Sequence, residues 1–453
     1  MSSPTGRRLP PQPGEWIDRS RPISFRFEGR RYRGLRGDTV SSALLAAGVR
    51  VLGRSFKYHR PRGVLSLSGA DANVMLQGSA GTNLRGDQTP LTDGLDVRAV
   101  NTLGGVRRDL LSVLGLFSAF TPVGFYYKAL HTPRALFPLY ERALRSLAGL
   151  GRIRADHRAA PSPKEYAFCD VLVVGAGPAG VAAANAAAAS GAEVVLAESS
   201  ERLDGCVGES VQSGVDCRFG TTCAGVYDDL WVALVDDRRL TKVRARSLVV
   251  AAGCEDQPAV FGNNDLPGVM LGEAARRLVE RYAVRPAEQP LVLTAGSGGY
   301  RLADDLRGRG IGIAAVADLR EEEAGHPPRS DLEAAGIPVF QGHAVVEAVP
   351  ARGGAGVRAA LIRPVDAGGR PTGAARTVAC GGIIVCVGRS PRDGLLRQAG
   401  GAMAYDERLH RHVPDSLPDG VFAAGSVAGA DGGTAAADGR RAGHAAAAWL
   451  GLA

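Results

Sequence analysis

CDVLVVGAGPAGVAAANAAAASGAEVVLAES, residues 169–199, is the stretch whose reading decides the fold. Residues 171–174 form a short, wholly apolar run of the kind that makes a strand buried on both faces. Gly175, Gly177 and Gly180 follow in the spacing G-x-G-x-x-G, then an alanine-rich helix ended by Gly191, then a second apolar strand that runs into Glu198. Strand, glycine turn, helix and strand is the plan of a dinucleotide-binding unit. Gly175 allows the tight turn, Gly177 lets backbone N–H groups approach a pyrophosphate, Gly180 lets helix and strand touch, and Glu198 stands where it accepts ribose hydroxyls. Pro178 and Ala179 open the helix, whose N-terminal partial charge favours phosphate. The ligand these residues predict carries an adenosine diphosphate moiety; FAD, NAD and ATP satisfy them equally.

On the C-terminal side, SLVVAAG (residues 247–253) is another buried strand, bringing Ala252 and Gly253 to its end. PLVLTAGSGGYRLADDLRGRGIGIAAVADLR (290–320) repeats the strand, turn, helix, strand plan, with Gly296, Gly298 and Gly299 at the turn, Arg301 in place of the third small residue, and Asp318 as the acid. This second turn is the weaker signal, and a non-binding copy is weighed equally for it. Residues 351–376 read as an exposed hairpin. GGIIVCVGRSP (381–391) and GVFAAGSVAG (420–429) are strands ending in glycine turns, the latter presenting Gly425 and Ser426, and a helix from 434 to 450 closes the chain.

On the N-terminal side, ISFRFEGRRYRGLRGDTVSSALLAAGV (23–49) alternates apolar and polar residues, turns at Glu28-Gly29 and alternates again, after which Asp38 or Thr39 caps a helix ended by Gly48. That order predicts a ferredoxin-like β-grasp domain. Residues 1–20, rich in Pro and Arg, read as a disordered leader without the apolar core of a signal peptide. The organisation expected is therefore a leader (1–20), a ferredoxin-like domain (21–85), a connector that packs on a larger body or another chain (86–165), a first dinucleotide-binding domain (166–286 and 380–453), and a second, NAD-type nucleotide fold (287–379).

Composition agrees with an ordinary packed protein: 453 residues, 45% hydrophobic and 22% charged, with a net charge of +8. Residues 1–165 carry 26 Lys and Arg against 12 acids, so the basicity belongs to the first third. Its densest run, GRSFKYHRPRG (53–63), holds Arg54, Lys57, Arg60 and Arg62 with Phe56 and Tyr58 between them. A nucleic-acid patch has little support on an otherwise mildly acidic protein; a phosphate site and an ordinary solvated charge run remain as equal alternatives. The seven cysteines lie between Cys169 and Cys386 with no C-x-x-C pair, so no disulfide framework or zinc site is readable, and a cytoplasmic location is expected. The apolar runs 110–127 and 171–197 are not membrane spans: Gly115, Pro122 and Gly124 break the first, and the second changes from strand to helix to strand. His343, His444, Cys217, Cys223 and Cys254 read as structural, and no catalytic acid–base pair, nucleophile or metal set is legible.

SFKYHRPRG (55–63), GFYYK (124–128), CDVLVVGAGPAG (169–180) and NNDLPGVML (263–271), in that order, resemble the α subunit of heteromeric sarcosine oxidase and its relatives among proline, hydroxyproline and opine dehydrogenases and hydrogen cyanide synthase. The resemblance implies an α/β, glutathione-reductase-like fold with two dinucleotide-binding domains and an N-terminal ferredoxin-like domain. It implies amine oxidation on FAD in a D-amino-acid-oxidase-like flavoprotein β subunit, electron transfer to FMN at the interface of a hetero-oligomer with room for further small subunits, and NAD, FAD or ATP in this chain. The loop VLSLSGADANVML (64–76) has no cysteine, so the expected ferredoxin-like domain lacks an Fe–S cluster. The Gly-Gly after the ribose acid is replaced by Gly205-Cys206, and Ser426 stands where flavin-binding relatives often have an aspartate, which tilts the expected nucleotide from FAD towards NAD or another adenine nucleotide. The chain ends at Ala453, with no folate-binding aminomethyltransferase domain expected in it. Two further readings stand beside the subunit: a self-sufficient NAD(P)H-dependent FAD oxidoreductase, and a scaffold with a structural nucleotide.

Overall fold

The computed structural model describes residues 7–71, 74–79, 81–120, 132–147, 162–203, 208–321 and 327–452. It divides into two units, Met1–Asp156 with Asp256–Gly388, and His157–Glu255 with Arg389–Ala453. The motif GFYYK, much of the connector and the Gly205-Cys206 pair lie outside the described residues.

In the first unit, strands Asp18–Phe27 and Arg30–Arg36 form the expected hairpin, with Glu28 and Gly29 both at positive φ in its tight turn. Thr39 caps helix Val40–Ala46 through a reciprocal pair of hydrogen bonds with Ser42. The sheet has the order Arg30–Arg36, Asp18–Phe27, Asp96–Ala99, Met75–Gly78, Gly81–Arg85, so its central strand lies beyond residue 85, where the connector was expected to begin. Phe25, Phe27, Leu44 and Leu76 fill its core. Asp38, the other candidate cap, instead meets Arg8 in a two-pronged ion pair at 2.8 and 3.1 Å, its carboxylate fully buried. This corrects the disordered leader. Residues 7–20 are anchored by the Arg7 N–H to Ala46 O and the Leu9 N–H to Ala283 O, with Leu9 buried and Arg281 stacked on Trp16. Composition could not reveal this, because Ala283 and Arg281 stand far along the chain and a buried carboxylate needs its cation.

The second sheet of this unit is wholly parallel, in the order Val269–Leu271, Ile383–Cys386, Leu291–Thr294, Ala315–Asp318, Val339–Gln341. Strands Val269–Leu271 and Ile383–Cys386 thus pair with the second nucleotide fold, not the first as expected. An apolar run buried on both faces suits either parallel sheet, and only pairing distinguishes them. Strands His343–Pro350, Val357–Pro364 and Arg376–Ala379 form an antiparallel sheet; the middle one buries Ala360 and Ile362, so the stretch 351–376 is not all exposed hairpin.

In the second unit the sheet order is Val215–Arg218, Val194–Ala197, Lys164–Val174, Leu240–Val250, Trp231–Val235, Thr222–Tyr227. The eleven-residue strands Lys164–Val174 and Leu240–Val250 pair along their length. Residues 240–244 continue into an antiparallel meander, while 248–250 also pair with Val421–Ala423. Helices Pro178–Ala189 and Ala435–Trp449 approach so closely that a Cβ on Gly443 would lie 2.2 Å from Ala183 O. The alanine richness of both helices thus serves packing. No described helix is long and apolar enough to cross a membrane.

Candidate functional site

In the second unit, strand Lys164–Val174 ends at Gly175, whose φ of +100° suits glycine. A Cβ there would also stand 2.4 Å from Ala251 O, and one on Gly180 1.7 Å from Gly175 O, so both glycines are demanded by the packing of turn, helix and neighbouring strand. Gly177 is different. It is the N-cap of helix Pro178–Ala189 at φ −70°, ψ −179°, which other residues adopt readily, and an added Cβ would meet nothing within 4 Å. Neither conformation nor internal packing calls for glycine at 177, and the backbone there is open to a ligand. The opening suits an adenine dinucleotide on geometry internal to this chain.

Glu198 follows strand Val194–Ala197 and is half-buried. Its carboxylate accepts the Ala176 N–H at 2.7 Å on one oxygen, and the Ser200 N–H at 2.7 Å and Ser199 hydroxyl at 3.1 Å on the other. These bonds aim the acid at the glycine turn and leave one lone pair, on Oε2, for an outside donor. Ala251 and Ala252 flank the turn, and Ser426 Oγ lies 3.7 Å from the Cβ position of Gly253. Gly425, at φ +75°, abuts Ala179 and donates its N–H to Asp438 at 2.7 Å. Gly175, Gly177, Pro178, Ala179, Gly180, Glu198, Ala252, Gly253, Gly425 and Ser426 therefore meet at the carboxyl ends of four parallel strands, the region where open α/β sheets bind ligands.

Arg54, Lys57, Arg60 and Arg62 belong to the first unit, and their cationic groups are engaged within it. Arg54 donates to Val106 O at 2.7 and 2.9 Å and to His59 O. Arg60 and Arg62 both grip Asp265 in the NNDLPG loop, Arg60 at 2.6 Å, with Asn263 as a second partner of Arg60. The Lys57 ammonium lies over the Tyr58 ring. Beside the two alternatives, a phosphate site and a solvated charge run, the structure shows an internal clamp for Arg60 and Arg62: the carboxylate that takes both is some two hundred residues away in sequence. The same run holds a pair that sequence reasoning missed. His59 Nδ1 and Asp109 Oδ2 are 2.7 Å apart, both side chains wholly buried, and Asp109 also accepts the Leu103 and Leu111 N–H groups. A histidine inside a basic run is the only sequence signal for it.

The second nucleotide turn is also corrected. Gly296 is the N-cap of helix Ser297–Gly308, equivalent to Gly177, which makes Gly299, not Arg301, the counterpart of Gly180. A Cβ on Gly299 would lie 2.5 Å from the Thr294 side chain. The acid Asp318 is nearly fully buried and already taken by Tyr300 Oη at 2.9 Å and Arg320 at 2.9 Å. Its neighbourhood raises the Tyr300 hydroxyl pKa well above its ordinary value, burial first and the Asp318 charge second.

None of the remaining candidates is an activated nucleophile. Burial pushes the Cys169 thiol up to about 12 and Cys223 up to about 11, and raises Cys217 and Cys254 as well. His343 bonds Gln341 O, and His444 lies beside the Ser190 hydroxyl.

Residues 170–261 match the FAD dependent oxidoreductase family, and residues 20–102 match the 2Fe-2S iron-sulfur cluster binding domain. The first match reverses the tilt towards NAD at this turn. The second overturns the expectation of an N-terminal domain without an Fe–S cluster. Residues 20–102 contain no cysteine to supply thiolate ligands, so no electron step is routed through that domain here. The chain is 35% identical to sarcosine oxidase subunit alpha of Rhizobium meliloti (strain 1021), over 92% of this chain and 45% of that protein. It is 27% identical to hydrogen cyanide synthase subunit HcnB of Pseudomonas aeruginosa, over 60% of this chain and 68% of that one. The crystal structure of L-proline dehydrogenase from P. horikoshii covers 99% of this chain with a TM-score of 0.61 at 17% identity, and 75% of that chain is matched. The fold is a mixed α/β flavoprotein oxidoreductase fold. The chain spans about half the length of the sarcosine oxidase subunits it matches.

Proposed function

We propose that this chain is the nucleotide-binding subunit of a flavin-dependent oxidase or dehydrogenase that acts on secondary amines of the sarcosine, proline or opine type. The observation that carries the nucleotide assignment is Gly177: open space in front of a backbone turn, with Glu198 aimed at it. In this reading the turn at 175–180 takes the pyrophosphate of FAD against its backbone N–H groups, Glu198 accepts the ribose hydroxyls, and Gly253, Gly425 and Ser426 line the rest of the cradle. When bound, the flavin supplies a two-electron acceptor. The chain's own residues bind and orient: the packed glycines keep the turn close to Ala251, and Asp438 fixes the Gly425 peptide.

Amine oxidation itself is assigned to a partner flavoprotein subunit, with electrons passing to FMN at the junction. Two observations support a partner. The relatives are named as subunits of oxidases and synthases. The connector also presents Leu110, Val113 and Leu116 at 67, 50 and 80% exposure, an apolar stripe of the kind that marks an interaction site. The FMN is not assigned to Arg54, Arg60 or Arg62, whose guanidinium groups are held inside the chain.

The test is to purify the chain alone and co-expressed with its neighbouring flavoprotein, release the nucleotides by heat and identify them by mass, and assay turnover with sarcosine, proline and an opine. FAD on the isolated chain and amine turnover only in the complex are expected. Amine oxidation by the isolated chain would refute the subunit reading. A yellow chain bleached by NAD(P)H without any partner would favour the self-sufficient reductase.

A further inference from the structure

Arg411 is the one buried Arg or Lys side chain among the described residues, 5% exposed in a protein whose other described cations reach solvent. It opens strand Arg411–Ser416, which pairs with Ala402–Asp406. Its donors do not serve that hairpin. One terminal nitrogen donates to Gly429 O at 3.0 Å and meets Asp431 at 2.8 Å; the other lies 4.0 Å from Cys254 Sγ. The Cys254 thiol, kept protonated by burial, donates in turn to Ser426 O at 3.1 Å.

These contacts fasten one short element. The turn Gly425–Ala428 ends at Gly429, in the left-handed region at φ +99°, with the Ala430 N–H returning to Gly425 O. Arg411 holds its exit at Gly429, Cys254 holds its middle at Ser426, and Asp438 holds its entry at Gly425, where it touches Ala179 at the start of the glycine-turn helix. Arg411 therefore stands behind both Gly253-Cys254 and Gly425-Ser426, the two loops that line the proposed cradle beside the glycine turn.

Stability alone does not account for an arginine at this position. Asp431 is 43% exposed and has Arg389 as a second cation at 3.4 Å, so it does not depend on Arg411. Arg411 Nε is buried without a partner among the described residues, a desolvation cost that an apolar side chain of similar length would avoid.

We propose that Arg411 is a positioning residue of the nucleotide site: it locks the Gly425–Ala428 turn and the Gly253-Cys254 strand end in the one arrangement that admits the dinucleotide. The inference rests on the assignment of FAD to the 175–180 turn. It concerns a side chain that does not itself touch the ligand, so its effect passes through backbone carbonyls.

The experiment uses the full chain with Arg411→Met and Arg411→Lys, titrated with FAD and separately with ADP, and melted with and without FAD. Arg411→Met should weaken FAD roughly tenfold and reduce the FAD-induced rise in melting temperature, while the nucleotide-free protein melts as the wild type does. Arg411→Lys keeps the charge but not the fork, and should fall between the two. ADP, which lacks the flavin half of the dinucleotide, should be affected less than FAD. Wild-type FAD affinity in both variants overturns the proposal, as does an equal loss of melting temperature with and without FAD at unchanged affinity. If Arg411→Met fails to fold, Arg411→Lys decides on the same two readouts. Failure of the underlying assignment looks different: the wild-type chain then binds neither FAD nor ADP.

Discussion

Replacing Gly177 by valine separates space kept for a ligand from space needed by the fold. In the nucleotide-free protein the new Cβ meets nothing within 4 Å, and the backbone at φ −70°, ψ −179° accepts a β-branched residue. The one cost is the exchange of a tolerated N-cap for a poor one, about 1 kcal/mol. In the bound state the isopropyl group stands where a phosphate must approach the backbone. Loss of two charge-assisted hydrogen bonds at roughly 1.5 kcal/mol each amounts to about 3 kcal/mol, a weakening of FAD by roughly a hundredfold. Gly180→Ala is the opposite control: its Cβ would lie 1.7 Å from Gly175 O, so the backbone itself must shift. That variant should lose about 3 kcal/mol of stability even without nucleotide. Urea denaturation of the nucleotide-free proteins, with FAD titration of each, reads both quantities. The reasoning fails if Gly177→Val retains wild-type FAD affinity, or if its nucleotide-free form is destabilised as much as Gly180→Ala.

Three other outcomes follow from the geometry. Arg8→Ala leaves the fully buried Asp38 carboxylate without its cation and should cost about 3 kcal/mol in urea denaturation, whereas Arg8→Lys, which keeps a cation, should cost less. Burial, then the charge of Asp71, raises the pKa of Asp87, so the stability it contributes is present below the ordinary carboxylate value and lost as pH rises through the raised one. Asp87→Asn keeps an acceptor for the Gly69 N–H and should melt increasingly above wild type from about pH 3 to pH 7; a difference independent of pH would refute it. Asp265→Ala frees Arg60 and Arg62 together and should cost about 1–2 kcal/mol because the pairs are part-exposed, without altering FAD retention by the chain.

The first glycine turn was legible because every part of it is local. A buried strand, three glycines, a helix and an acid fall within some thirty residues, and the structure joins them as their spacing requires. The Glu28-Gly29 hairpin and the helix capped at Thr39 were legible for the same reason. The second turn was misregistered. Counting glycines makes Arg301 the third position, but the helix starts one residue after Gly296, and only the N-cap reveals that Gly299 packs on Thr294. The Arg54 to Arg62 run left a phosphate site and a solvated surface as equal alternatives because its acid, Asp265, comes from a distant loop. His59 and Asp109 give no periodic or spacing signal at all, and neither does Arg411, whose partners at Cys254 and Gly429 lie elsewhere in the chain.

By itself, then, the sequence determined the strand, glycine turn and helix at 171–189, the Glu28-Gly29 hairpin and the helix capped at Thr39, since backbone preference, capping and side-chain period act within a few residues. The tertiary structure decided which sheet Val269–Leu271 and Ile383–Cys386 join, that residues 7–20 are tied down, and which arginines are occupied. Those outcomes depend on which charged and hydrogen-bonding groups, far apart in the chain, must be buried together. Burying a charge without its partner costs more than most local preferences supply, and that constraint exists only once the chain has closed on itself.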